Sequence, residues 1–199
     1  MLDYIKGTLT AKNPTLVVME CNGLGYQVHI SLHTYSRIQH LGECRLFTYL
    51  HISGGMQSPM IFSLYGFYEE NEREVFTSLL SVSGVGAATV RVMLSSMSPL
   101  EIQQAIVIGN SKLLESIKGI GPKSAQRIIL ELKDRMAKGL EQKQTPLNAQ
   151  STQREEALAA LVMLGTNRTN AEQLLSRILR DTPDIPVEEM IKQVLQAQR

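Results

Sequence analysis

Residues 79–94 read LLSVSGVGAATVRVML, and residues 114–129 read LESIKGIGPKSAQRII. At an offset of 35 residues, Leu79 pairs with Leu114, Val82 with Ile117, Gly84 with Gly119, Val85 with Ile120 and Gly86 with Gly121. Each copy predicts a helix, a Gly-apolar-Gly turn and a second helix. The first glycine suits the left-handed conformation that ends a helix. The apolar residue between the glycines is a pin that packs between the two helices. The second glycine lets a ligand come close to the backbone. The following helix starts at once, and its first N–H groups have no intrahelical acceptor. With the positive end of the helix dipole beside them, they form an anion site. Pro122 presets the first turn of the second copy.

A glycine-flanked turn ahead of Lys-Ser also raises a nucleotide site. A P-loop needs G-x-x-x-x-G-K-[ST] after a strand. Here Pro122 separates Gly121 from Lys123, no glycine stands five positions before Gly121, and the preceding LLESIK reads as helix. The duplicated turn fits a grip on nucleic-acid backbone instead. The plainer alternative is a pair of packed helical turns with no ligand. The candidate contacts are Gly84, Val85, Gly86, Ala87, Ala88 and Arg91 in the first copy. In the second they are Lys118, Gly119, Ile120, Gly121, Lys123, Ser124 and Arg127. Charge supports this. Residues 81–140 hold eight Lys or Arg and four Asp or Glu, a net +4, whereas the whole chain carries +1. Lys123 and Arg127 are four apart on a predicted helix and share a face.

Outward from the repeat, the period changes. Residues 1–66 read as five short strands: YIKGTLTA, TLVVMEC, GYQVHI, CRLFTYLH and MIFSLYGF. Asn-Pro, Asn-Gly, Gly-Glu and Gly-Gly signals separate them, and one helix is predicted over 33–40. Five strands in so short a span predict a small antiparallel barrel of the OB type, with a β-sandwich as the alternative. Helices are predicted over 71–80, 87–95, 99–107, 111–117 and 122–136. Residues 139–153, GLEQKQTPLNAQSTQ, have the composition of a flexible linker. Three short amphipathic helices follow over 154–199. Leu158, Leu161, Val162 and Leu164 line the first, Thr169 with Glu172 forms a capping box for the second, and Pro186 opens the third. The predicted order is thus a barrel (1–66), a tandem helical domain (67–138), a linker (139–153) and a small three-helix domain (154–199).

Composition narrows the function classes. The chain has 199 residues, 43% hydrophobic and 20% charged, which is an ordinary globular balance. A net charge of +1 excludes a polybasic coat protein. The N-terminal MLDYIKGTLT has neither a basic region nor a long apolar run, so no signal peptide is expected. No stretch reaches the length of a membrane-spanning helix. Cys21 and Cys44 cannot build a disulfide framework, and a reduced, cytoplasmic setting is expected. The four histidines and two cysteines lack zinc-ligand spacing, and no G-x-S-x-G elbow occurs. No cofactor is expected. A base-excising repair enzyme would need a catalytic Lys or Asp facing a base pocket, for which the helical region leaves little room. A general single-strand binder would need aromatic stacking platforms, but aromatic residues are 5% and Trp is absent.

The order of parts resembles the RuvA family, the Holliday-junction-binding subunit of the bacterial branch-migration machine. The resemblance spans essentially the whole chain. It is carried by LGYQVHI (24–30), LYGF (64–67), SVSGVGAATVRVMLS (81–95), IKGIGPKSAQRIILELKDR (117–135) and EALAALVMLG (156–165). The repeated turn looks like the helix-hairpin-helix motif, which holds DNA backbone without reading sequence. The resemblance implies a homotetramer, or an octamer when two tetramers clamp one junction. Barrels would lie near the four-fold axis, with one helix-hairpin-helix domain on each arm of a four-way junction. It implies a hexameric ATPase partner, RuvB, reached through the third domain, where Leu161 and Leu164 are candidate contacts. Packing within the bundle is the alternative role for both. A junction nuclease, RuvC, would act alongside, in recombination, DNA repair and the SOS response.

Two departures stand out. Ala88 replaces a lysine usual in the family, and Arg91, one turn on, is a candidate substitute. The hairpin before LYGF usually carries an acidic pin. Here HISGGMQSPMIFSLYGF is about five residues longer, and no Asp or Glu lies between Glu43 and Glu69. Gly54, Gly55, Met56, Gln57 and Ser58 form its expected tip, at the junction centre. Thr166 also stands where the family often has an aromatic residue.

Overall fold

The computed structural model describes residues 2–55, 58–144, 149–182 and 185–197. The chain divides into two compact units, Met1–Gln142 and Lys143–Arg199.

In the first unit, five strands close a barrel in the order β1-β2-β3-β5-β4. They are β1 (Tyr4–Asn13), β2 (Leu16–Cys21), β3 (Leu24–His29), β4 (Glu43–Gly55) and β5 (Ser58–Phe67). This is the predicted OB-like barrel. Neighbouring pairs are antiparallel, but β3 meets β5 in parallel at His29 and Tyr65. The predicted turn signals act locally. The Asn13 side chain accepts from the N–H groups of Thr15 and Leu16. Asn22 and Gly23 both take positive φ, 50° and 80°, as a two-residue hairpin requires. Alternate residues point inward, so Val17, Met19, Val28 and Leu46 are almost fully buried, and Ile30 and Ile38, beyond β3, join them in the core. Helix α1 (Leu32–Ile38) closes one end, capped by the Ser31 hydroxyl, which accepts from Thr34 N–H.

Five helices follow: α2 (Glu70–Leu80), α3 (Ala87–Ser96), α4 (Pro99–Ile108), α5 (Ser111–Glu115) and α6 (Pro122–Gln144). The α4 start has a full Ser98–Glu101 capping box with Pro99 in the first turn. Its end is a Schellman motif, with Asn110 N–H on Ala105 carbonyl and Gly109 at φ 75°. Phe76 of α2 joins this core to the barrel, with ring centroids 5.6, 5.0 and 4.9 Å from those of Tyr49, Tyr65 and Phe67.

Polar ties reinforce the joint. Arg73 bonds Asp3 and Glu70. The Glu72 carboxylate is fully buried and accepts from the hydroxyls of Ser31 and Thr34. Thr34 in turn accepts from Tyr68 N–H at 3.0 Å. Burial raises the Glu72 carboxyl above the usual carboxylate range, against the hydrogen bonds from Ser31 and Thr34 and the nearby His33.

In the second unit, α7 (Ala149–Met163), α8 (Arg168–Asp181) and α9 (Val187–Ala197) pack around Ala157, Leu161, Ala171, Leu175, Met190 and Val194. Helix α6 runs to Gln144 and α7 starts at Ala149, so helix enters the 139–153 stretch from both ends. Residues 145–148 lie outside the described residues. Some expectations need correction here. The α8 cap is Asn167, whose side chain accepts from Thr169 N–H, while Glu172 pairs with Arg168 at 2.9 Å. Pro186 lies just before α9, its carbonyl accepting from Met190 N–H. Of the residues expected to line α7, Leu158 and Leu161 face the core, but Val162 and Leu164 are exposed. Among the described residues, no helix is long and apolar enough to cross a membrane.

Candidate nucleic-acid interface

The two copies of the repeat build the same object, bond for bond. In the first, Val82 N–H donates to Leu79 carbonyl and Val85 N–H to Val82 carbonyl, both at 3.1 Å. In the second, Ile117 donates to Leu114 and Ile120 to Ile117, again at 3.1 Å. Val90 N–H closes on Gly86 carbonyl at 3.0 Å, and Ala125 N–H on Gly121 carbonyl at 2.9 Å. Gly84 and Gly119 take φ of 86° and 95°, the left-handed region that glycine occupies at little cost. Val85 and Ile120 are the pins, 6% and 5% exposed.

The second glycines have a different role. Gly86 is the N-cap of α3 at an ordinary φ of −89°, and no side chain caps that helix. Gly121 directly precedes α6. A Cβ at either glycine would meet nothing within 4 Å. Neither α3 nor α6 has an acid in its first turn. By contrast, α2 starts with Glu70 and Glu72 and α4 has Glu101. The hairpin helices thus leave their positive ends open to an outside anion.

The hairpins also lean on each other. The nearest atom to a Cβ built on Gly119 is Thr89 Cγ2, at 3.7 Å. Arg127 Nη1 donates to Ser83 carbonyl in the first turn at 3.0 Å, while its Nε lies 4.0 Å from Glu131. Arg127 therefore links the two turns, a role that the charge pattern of the sequence does not reveal. Lys118 and Lys123 are exposed and Ser124 is half-buried. In the first copy Ala88 is exposed and Ala87 is buried. The Arg91 guanidinium turns to the barrel, 3.3 Å from Thr15 carbonyl and 3.2 Å from His29 Nδ1. The cationic side chains at the two turns are therefore unequal.

The β4–β5 hairpin pairs out to Gly55 and Ser58. Gly54 has φ 108°, and a Cβ there would lie 2.4 Å from Pro59 carbonyl oxygen. Met56 and Gln57 lie outside the described residues. Ile52, Met60, Ile61 and Phe62 are more than half exposed, so the hairpin surface is apolar as well as free of acids. In the C-terminal unit, Leu161 is fully buried and serves the bundle core, which corrects its reading as a partner contact. Met163 and Leu164 are exposed beside a Schellman motif in which Thr166 N–H donates to Leu161 carbonyl. Exposure at Met163 could not be told from burial by hydrophobicity alone.

Comparison with known families matches each part. The RuvA N-terminal domain matches residues 1–57, the SAM-like helix-hairpin-helix tandem residues 76–134, and the RuvA C-terminal domain residues 152–197. The chain belongs to the RuvA family. It is 45% identical over 195 residues to the Holliday junction branch migration complex subunit RuvA of Christiangramia forsetii, covering 98% of each chain. It is 42% identical over 201 residues to the protein of that name from Cytophaga hutchinsonii, and 41% over 205 residues to that from Bacteroides fragilis, again covering 98% of each chain. The barrel, the paired hairpins and the C-terminal bundle are thus the three parts of a RuvA chain.

Proposed function

We propose that this protein is a non-catalytic scaffold that binds a Holliday junction, holds its four arms open and square, and recruits a RuvB ATPase for branch migration in the cytoplasm. The observation that carries this reading is the pair of matching hairpins with open helix N-termini. Such sites suit phosphodiester oxygens and carry no base readout. A homotetramer presents four such pairs, one per arm, and four weak linked contacts multiply into structure selectivity. An octamer forms where two tetramers face each other across one junction. RuvB docks on the C-terminal bundle at the exposed Leu164 side of α7, and the RuvC nuclease reaches the held junction. Gel-shift titration of a four-way junction against linear duplex, with native mass measurement of the complex, tests this. A junction complex holding four or eight copies is expected, and equal binding of duplex would refute it.

The uneven cations make the grip lopsided. Lys123→Ala should weaken junction binding and lower the log–log salt slope by about 0.9 for each phosphate that the lysine neutralises. Thr89→Ala should leave the slope unchanged. Equal losses in a salt titration of both variants would contradict the lopsided grip.

The acid-free hairpin should repel phosphate at the crossover less than an acidic one. Replacing Gln57 and Ser58 with Glu and Asp should change strand opening, read by a fluorescent base analogue at the junction centre. An unchanged signal would count against a central position for this hairpin.

A further inference from the structure

We infer that Arg91 is a positioning residue that fixes the angle of the paired hairpins against the barrel. On the junction-binding reading, it thereby sets the geometry in which the hairpins meet the junction arms. Arg91 lies on α3, the helix whose N-terminus is the first anion site. It sits five residues from Gly86, roughly 7 Å along the axis. Its Nη1 contacts two groups of the barrel wall, Thr15 carbonyl and His29 Nδ1. Both are braced. Thr15 carbonyl also accepts from Ile30 N–H at 3.1 Å. The His29 ring lies 5.5 Å from Tyr65, whose ring lies 5.0 Å from Phe76 on α2.

One turn on, Ser95 Oγ accepts from Leu32 N–H at 3.1 Å and donates to Arg91 carbonyl at 2.8 Å. Helix α3 therefore holds the barrel at two successive turns. To accept from a guanidinium, His29 must be neutral at Nδ1. Burial and the adjacent Arg91 charge both hold it neutral by lowering its pKa. The arginine thus acts on DNA only through the frame it fixes.

The test uses full-length wild type, Arg91→Leu and Arg91→Lys. Spin labels on non-canonical ketone side chains at the exposed Glu20 and Lys112 report the barrel-to-hairpin distance in DNA-free protein. Wild type should give one narrow distribution, Arg91→Leu one about twice as wide, and Arg91→Lys one close to wild type. Arg91→Leu should also lose about tenfold in four-way junction affinity while linear duplex affinity stays within about twofold. An unchanged distance distribution in Arg91→Leu overturns the proposal. So does an equal loss on junction and duplex, which would mark a direct phosphate contact. If wild type itself shows no preference for the four-way junction, the junction reading fails, and the label distances alone decide the positioning role.

Discussion

Gly121→Val is expected to keep the fold and to lower four-way junction affinity by about a hundredfold. The two glycines of each turn do different jobs. Gly119, at φ 95°, serves the fold, and a side chain there costs about 2 kcal/mol of stability. Gly121 has empty space where a Cβ would go, so valine costs only about 0.5–1 kcal/mol as a poorer helix cap. That empty space is where a phosphate must come to reach the α6 N-terminus. Valine would hold it off by more than a hydrogen-bond length. In the proposed tetramer, removing one such hydrogen bond per subunit, at about 1 kcal/mol apiece, exceeds the roughly 2.7 kcal/mol that a hundredfold represents. Fluorescence anisotropy with a labelled junction reads the affinity, and calorimetry confirms the fold. Gly86→Val should act in the same direction. Undiminished binding by Gly121→Val would mean that the helix N-terminus does not touch DNA.

Glu72→Ala should destabilise the Met1–Gln142 unit by about 3–4 kcal/mol. The substitution leaves the Ser31 and Thr34 hydroxyls without their acceptor in a fully buried site and opens a cavity between barrel and hairpins. Glu72→Gln keeps the shape, and its effect depends on pH. Burial raises the Glu72 carboxyl in the folded state above its unfolded value. Between those two values the folded state holds more protons than the unfolded one. Stability from this group therefore falls as pH rises through that window. Glutamine has no such proton, so Glu72→Gln should gain on wild type between an acidic pH and a neutral one. Urea unfolding of both proteins at the two pH values measures the difference. A constant offset between them would show that folding does not shift the Glu72 carboxyl from its unfolded value.

The local parts of this fold were legible because their signals are local. Five strands, Asn-Gly and Asn-Pro turns, and the doubled Gly-apolar-Gly pattern each depend on residues a few positions apart. What escaped was the long-range pairing. Arg91 meets Thr15 across 76 positions and Glu72 meets Ser31 across 41, and no periodicity marks such partners. Charge, the repeat and the resemblance mark Arg91 and Arg127 as candidate phosphate contacts, but none of these shows that one reaches the barrel and the other Ser83 carbonyl. Leu161 and Leu164, three apart on one predicted helix, shared a predicted role. Helix α7 ends at Met163 between them, leaving one in the core and the other 63% exposed. The cap at Asn167 was missed because Thr169 and Glu172 offered a matching pattern two residues later.

The paired hairpins are proposed to grip the backbone of a four-way junction by shape. One measurement tests it most directly: competition of a labelled four-way junction against unlabelled junctions of scrambled sequence, linear duplex and single strand, at rising salt. Scrambled junctions should compete equally, duplex and single strand should compete at least about a hundredfold more weakly, and affinity should fall steeply with salt. Competition by linear duplex at the same concentration as the junction would contradict the claim.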